Sequence, residues 1–177
     1  MHDDRDEVVL VDEHDREVGL AGKLDAHRAG QRHRAVSVFV FDDAGRLLLQ
    51  RRSARKYHSA GRWANTCCSH PRPGETTEAA AQRRLREEMG IQCTLERAGR
   101  FTYRADVGGG LIEHEVDHLF VGRSGGDPSP DAGEVDAWRW ARPDEIDRDL
   151  AERPEQYAAW FRGALGAVRE NLAGGFR

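Results

Sequence analysis

Two of the chain's three cysteines stand side by side, in the stretch Ala64-Asn65-Thr66-Cys67-Cys68-Ser69-His70. An extended segment turns successive side chains to opposite faces, so Cys68 and His70 would share one face and Cys67 would take the other. A thiol does acid–base or nucleophilic work where its surroundings tune its pKa, and an imidazole two residues away is one such neighbour. A disulfide between adjacent cysteines is strained, and a zinc site needs a C-x2-C partner that Cys93 does not supply. These residues leave Cys68 as a working thiol and Cys67 as a core residue, against the plainer reading in which both simply pack.

Glu113 and Glu115, two apart in a predicted strand, also share a face. With His27, His33 and His70 they would make a mixed nitrogen–oxygen site for a divalent ion such as Mn²⁺, Mg²⁺ or Zn²⁺. The five donors are scattered along the chain, so spacing alone reads equally well as surface histidines and glutamates. His114 and His118 alternate away from the Glu113/Glu115 face; they and His58 are expected to be structural or exposed.

A predicted helix carries a third signal. From Ser69 to Ile91 the sequence follows the Nudix box, G-x5-E-x7-R-E-U-x-E-E-x-G-U, with Glu75, Arg83, Leu85, Glu87, Glu88, Gly90 and Ile91 in register. The box is a loop–helix–loop whose helix aims carboxylates at Mg²⁺ on a diphosphate. Two positions depart from it: Ser69 stands for the opening glycine, and Arg84 for a metal-binding glutamate. A guanidinium there weakens the case for pyrophosphate hydrolysis and offers a phosphate a bidentate contact instead. A charged helix with i,i+4 ion pairs is the competing reading.

More motifs fall into one order: K-x3-H (Lys23, His27), H-R-A-x-S-V-F (33–39), a basic run at 51–56, W-x-N-T-x-C-x-H-P (63–71), R-R-x-R-x-E-x-G (83–90), F-x-Y-R-A (101–105) and E-x-E-V (113–116). Together with Trp160 the set resembles the type 1 isopentenyl-diphosphate isomerases, enzymes of the Nudix superfamily. That resemblance implies an α+β protein, a Nudix-type α/β/α sandwich with a mixed, largely antiparallel sheet. It implies interconversion of isopentenyl diphosphate and dimethylallyl diphosphate through a tertiary carbocation, in isoprenoid biosynthesis. Glu115 with Tyr103 on one side and Cys68 on the other would move the two protons, and Trp160 would face the cation. Lys23, Arg52, Lys56 and Arg84 would bind the diphosphate. His27, His33, His70, Glu113 and Glu115 would hold one divalent ion (Mn²⁺, Mg²⁺ or Zn²⁺), and Glu88 a Mg²⁺ arriving with the diphosphate. A Nudix pyrophosphohydrolase is the alternative.

Backbone elements must bring these residues together. VVLVD (8–12) reads as a strand, 35–52 as a hairpin closed by Asp-Asp-Ala-Gly, and 61–70 as extended before the turn forced by Pro71, Pro73 and Gly74. Thr76 opens a helix that Gly90 ends. Residues 93–105 and 111–122 read as strands around Gly108, Gly109 and Gly110, 122–134 as a loop, 135–141 as a strand, 143–150 as a short helix and 154–172 as a long amphipathic one. One domain over 1–177 is expected, with an N-terminal strand extension and a C-terminal helix completing the site. Net charge is −4, charged residues make up 33%, and no apolar run reaches membrane length, so neither nucleic acid nor a membrane is an expected partner. With no export signal and an odd cysteine count, the chain reads as cytoplasmic with reduced thiols, acting as a monomer or weak dimer. Of 27 basic residues only Lys23 and Lys56 are lysines, and both fall on the diphosphate side.

Overall fold

The computed structural model describes residues 6–173. They run β1 (Glu7–Val11), β2 (Glu17–Gly22), α1 (Lys23–Ala29), β3 (His33–Phe41), β4 (Leu47–Arg52), β5 (Trp63–Ala64), β6 (Cys67–Ser69), α2 (Thr77–Met89), β7 (Leu95–Gly108), β8 (Leu111–Arg123), β9 (Val135–Ala141), α3 (Pro143–Glu152), a 3₁₀ turn (Pro154–Gln156) and α4 (Phe161–Ala173). β3 organises the sheet. Along one edge it runs parallel to β8, from His33↔Glu115 to Phe41↔Arg123. Its other edge is shared in turn by β1 at His33, by β6 at residues 36–38 and by β4 at Phe41 alone. β7 pairs antiparallel with β8, while β4 turns to β5 and β9. The sheet is mixed, largely antiparallel and not closed into a barrel.

The predicted hairpin at 35–52 therefore has its turn without its ladder. Asp42 makes the turn, its carboxylate accepting from the backbone of Ala44 and Arg46 and from the Arg46 side chain. Beyond Phe41 and Leu47 the strands are wedged apart by Asn65 and Thr66. Thr66 Oγ1 accepts from Val40 N at 2.9 Å and donates to Leu48 O at 2.7 Å. Asn65 Nδ2 donates to Val38 O at 3.1 Å and Cys67 O at 2.9 Å. Side chains stand in for the missing ladder bonds, so the buried backbone stays satisfied.

Alternation along the strands builds two cores. Val36, Val38, Val40, Leu48 and Phe120 pack under Ala80, Ala81, Leu85 and Met89 of α2. Phe39, Leu47, Leu49, Leu119 and Val121 pack under Ile146 and Leu150 of α3 and Phe161, Leu165 and Val168 of α4. Helices on both sides of one sheet give the expected α/β/α layers. α2 has the predicted ends: Thr76 accepts from Ala79 N, and Gly90 caps with φ 65°. A Cβ on Gly90 would also lie 2.7 Å from Ser129 O, so glycine is needed there twice over.

Three further expectations need correction. β2 and α1 are absent from the sequence reading; β2 is glycine-rich with Val18 and Leu20 exposed, and α1 has only 7 residues, too few to show a period. The long helix at 154–172 is broken. The Asp149 carboxylate gathers Arg139, Arg153 and Tyr157, and Ala158 N bonds Trp63 O, so this segment is drawn onto β5 before α4 begins. Trp160 consequently precedes α4 rather than lying within it.

Candidate active site

The strand parity that carries Phe39, Leu119 and Val121 under α4 continues toward the strand starts as Ser37 and His33 on β3 and as Asp117, Glu115 and Glu113 on β8. These five side chains are polar, yet all are buried. β6 adds a thiol to the row, since its register sets Cys68 opposite Ser37. Cys67 faces the α2 core, while Cys68 packs with Ala64, Ala158, Trp160 and Tyr103. The alternation read from the sequence holds.

A chamber of about 40 Å³ lies here, and every expected site residue lines it except His27 and His33, which stand immediately behind His70. A wider cleft of about 330 Å³ shares Lys23, Ser69, His70 and Arg84 with the chamber and adds Arg72 and Arg83. The small recess and the larger cleft thus share a wall, and the cleft sets Asp6, Glu7 and Glu134 beside its four cations.

The imidazoles are aimed. His27 Nδ1 lies 2.6 Å from Lys23 O, and His33 Nδ1 lies 2.9 Å from Gln31 O. A carbonyl only accepts, so each ring keeps a proton on Nδ1 and, when neutral, turns its Nε2 lone pair inward. His33 Nε2 is 3.3 Å and His70 Nε2 3.0 Å from the same atom, Glu115 Oε1. His27 Nε2 is buried without a hydrogen-bond partner. Donor atoms of His27, His33, His70 and Glu115 lie within 4.8 Å of one another, as do those of His27, His58 and Glu113. Tyr103 Oη sits 2.9 Å from Glu113 Oε2 and 2.7 Å from Glu115 Oε2, with one phenolic proton for two carboxylates. Lone pairs facing lone pairs in a buried pocket need a proton or a cation between them, so these residues fit a divalent ion.

Burial governs the charge states. It pushes His70 down to about 3 and moves His27 the same way, which leaves both as neutral ligand-ready rings. Burial, then the charge on Glu115, drives the Glu113 carboxyl well up. Burial opposes the charge on Glu115 too, but hydrogen bonds to its oxygen from His33 and His70, each made through a proton on Nε2, outweigh that and hold it well below the usual range; a cation seated there would act in the same direction. Burial, then the Asp117 carboxyl, raises the Cys68 thiol, so it rests protonated. That thiol donates to Asn65 Oδ1 at 3.0 Å and receives Trp160 Nε1–H at 3.1 Å. Ser37 Oγ is 3.6 Å from the sulfur and donates to Asp117 Oδ2 at 2.7 Å.

Lys23, Arg52, Lys56 and Arg84 share the other wall. Arg84 donates to Glu88 at 2.5 Å and Glu87 at 2.8 Å, and Gln50 Nε2 takes the second Glu88 oxygen at 3.1 Å. Lys56 is paired with Glu134, and burial lowers it to about 8; burial lowers Lys23 as well. Arg52 lies over the Trp160 ring at 5.1 Å. His114 and His118 lie away from the chamber, bonded to Arg32 and Asp15.

His58, expected to be structural or exposed, is not exposed. It is buried in the chamber wall with Nε2 3.2 Å from Glu113 Oε1. Ser37, Asn65 and Asp117 were also missed. The available signal was a polar residue inside an otherwise apolar extended run, which must find a partner when buried.

The NUDIX domain matches residues 31–161. The chain is 55% identical over 163 residues to isopentenyl-diphosphate Delta-isomerase 2 of Aromatoleum aromaticum, covering 92% of this chain and 86% of that protein. It is 49% identical to isopentenyl-diphosphate Delta-isomerase 2 of Photorhabdus laumondii over 161 residues, 91% of each. A solved protein of Deinococcus radiodurans superposes with a TM-score of 0.73 at 22% identity, covering 92% of this chain and 98% of that one. A MutT protein from Methanosarcina mazei gives 0.64 at 19% identity, over 82% and 96%, a likeness of fold.

Proposed function

The chain belongs to the isopentenyl-diphosphate Delta-isomerases of the Nudix superfamily, and from that premise we propose how its residues divide the reaction. The enzyme moves a double bond between isopentenyl and dimethylallyl diphosphate, one proton arriving and another leaving. Protonating an unactivated alkene gives a tertiary carbocation, so the groups that move protons must face one water-poor recess. What carries the reading is that Cys68 and Glu115 line one chamber of about 40 Å³ together with Tyr103 and Trp160.

Glu115, bridged to Glu113 through the Tyr103 hydroxyl, exchanges a proton on one side of the hydrocarbon. Cys68, protonated by burial and held in place by Asn65 and Trp160, exchanges the other at C2. The Trp160 ring offers its π electrons to the cation, worth roughly 2 kcal/mol or more when desolvated. Lys23, Arg52, Lys56 and Arg84 receive the diphosphate, Lys56 releasing Glu134 and Arg84 its glutamate partners as the anion takes their place. His27, His33, His70, Glu113 and Glu115 would hold one divalent ion, Mn²⁺, Mg²⁺ or Zn²⁺, which when bound supplies positive charge that orients and acidifies the Glu115 side. Glu88 would meet a Mg²⁺ carried by the diphosphate.

The hydrolase alternative is weaker, because Arg84 occupies a Nudix carboxylate position and ties up Glu87 and Glu88. The same reading makes the enzyme cytoplasmic, free of nucleic acid and membrane, and a monomer or weak dimer. Among the described residues no helix is long and apolar enough to cross a membrane. Incubation with isopentenyl diphosphate, Mg²⁺ and deuterated water, followed by NMR, tests the proposal. Deuterated dimethylallyl diphosphate is expected; phosphate release without isomerisation would refute it.

A further inference from the structure

His58 is placed as His27 and His33 are, with a hydroxyl, which can donate or accept, where those two rings meet a carbonyl. In each of the three rings Nδ1 faces a group close by in the chain: Lys23 O for His27, Gln31 O for His33, and Ser59 Oγ at 3.3 Å for His58. Nε2 of His33, His58 and His70 lies against a carboxylate oxygen of the cluster, and Nε2 of His27 is buried without a partner. Anchoring one ring nitrogen so that the other is presented is how proteins prepare metal-binding histidines. His58 is buried, its ring lies 5.4 Å from that of His27, and its Nε2 is 3.2 Å from Glu113 Oε1.

Two candidate donor groups overlap at one residue: His27 with His33, His70 and Glu115, and His27 with His58 and Glu113. They do not describe two ions. His27 Nδ1 is committed to Lys23 O, so only Nε2 is left, and a single lone pair serves a single ion. That Nε2 is the atom found buried without a partner. Resting on the divalent site proposed above, we infer that His58 is a sixth ligand of the same ion. The shell then holds four imidazoles and two carboxylates, a nitrogen-rich set that favours a borderline ion such as Mn²⁺ or Zn²⁺ over Mg²⁺.

Binding strength alone does not decide this, because a histidine that merely steadied Glu113 by a hydrogen bond would also lower affinity, by about 10–100-fold. A count of coordinated nitrogens does. The full chain, stripped of metal, labelled with ¹⁵N-histidine and loaded with Mn²⁺, is examined by pulsed EPR. Four directly bound imidazole nitrogens are expected in the wild type, and three in His58→Gln. Three in the wild type would overturn the role of His58 while leaving the divalent site in place. Failure of the wild type to bind Mn²⁺ would overturn the site and this inference together. The wild-type count stands whether or not the variant folds.

Discussion

Along β3 and β8 one face of the sheet has two ends, equally buried and chemically opposite. At Phe39, Leu119 and Val121 it is apolar and covered by α4. At His33, Ser37, Glu113, Glu115 and Asp117 it is polar and covered by the chamber wall. Burial of an apolar side chain stabilises by about 1.5–3 kcal/mol, whereas a buried polar group is costly unless partnered. The fold gains stability at the apolar end and holds its reactive groups at the other: strand parity is common to both ends, and only the residue types differ.

Substitutions at each end should therefore separate chemistry from stability. The largest effect belongs to Cys68→Ser, which replaces a thiol, held protonated by burial yet still the more acidic group, with a hydroxyl that hardly ionises. Deuterium exchange at C2 should fall by orders of magnitude with melting and metal content unchanged; turnover at the wild-type rate would remove Cys68 from the chemistry. At the apolar end, Leu119→Ala should cost about 2–5 kcal/mol in a denaturant titration while kcat per folded molecule holds. A large loss of kcat there would mean that the two ends are not separable.

Arg84→Glu restores the Nudix carboxylate and removes a charge-assisted phosphate contact, worth about 1.5–3 kcal/mol. kcat/KM for isopentenyl diphosphate should drop by about one to two orders of magnitude, and unchanged kinetics would misplace the diphosphate. Cys67→Ser, one residue from the thiol but facing α2, should cost about 1–3 kcal/mol of stability and leave turnover largely intact. Were this variant the inactive one, the alternation of β6 would be misread.

The smallest test concerns the anchor of the segment carrying Trp160. Hydrogen bonds from Arg139 hold Asp149 down to about 2, with Tyr157 and Arg153 adding to the effect. A carboxyl lowered by folding stabilises above its unfolded pKa and loses that contribution as pH falls through the folded value. The stability gap between wild type and Asp149→Asn should be complete at pH 6 and close between about pH 4 and pH 2. A gap that persists at pH 2 would show that the ionised carboxylate is not its source.

What the sequence revealed and concealed follows from the range of each signal. Thr76 and Gly90 mark the ends of α2 locally, and Cys67/Cys68 reveal their faces by alternation, so both were legible. Partner choice is not local. The apolar runs of β3 and β4 look like a hairpin until Asn65 and Thr66, many residues later, enter between them. His58 lies in the irregular stretch between β4 and β5, where no period exists to assign it a face. The break before α4 depends on Asp149 meeting Arg139 across the fold, which spacing does not express.

The wedge of Asn65 and Thr66 also determines how sequence change is transmitted. In an unbroken hairpin, a residue inserted at the turn would slip every pair behind it and reverse the faces of both strands. Here the only pair behind the turn is Phe41↔Leu47, and the next contacts belong to a different stretch of chain. Length variation at residues 42–46 would be absorbed within a residue or two, leaving Ser37 and Cys68 opposite each other. The turn is thus a place where this enzyme can accept insertions, or a fused peptide, without moving its thiol.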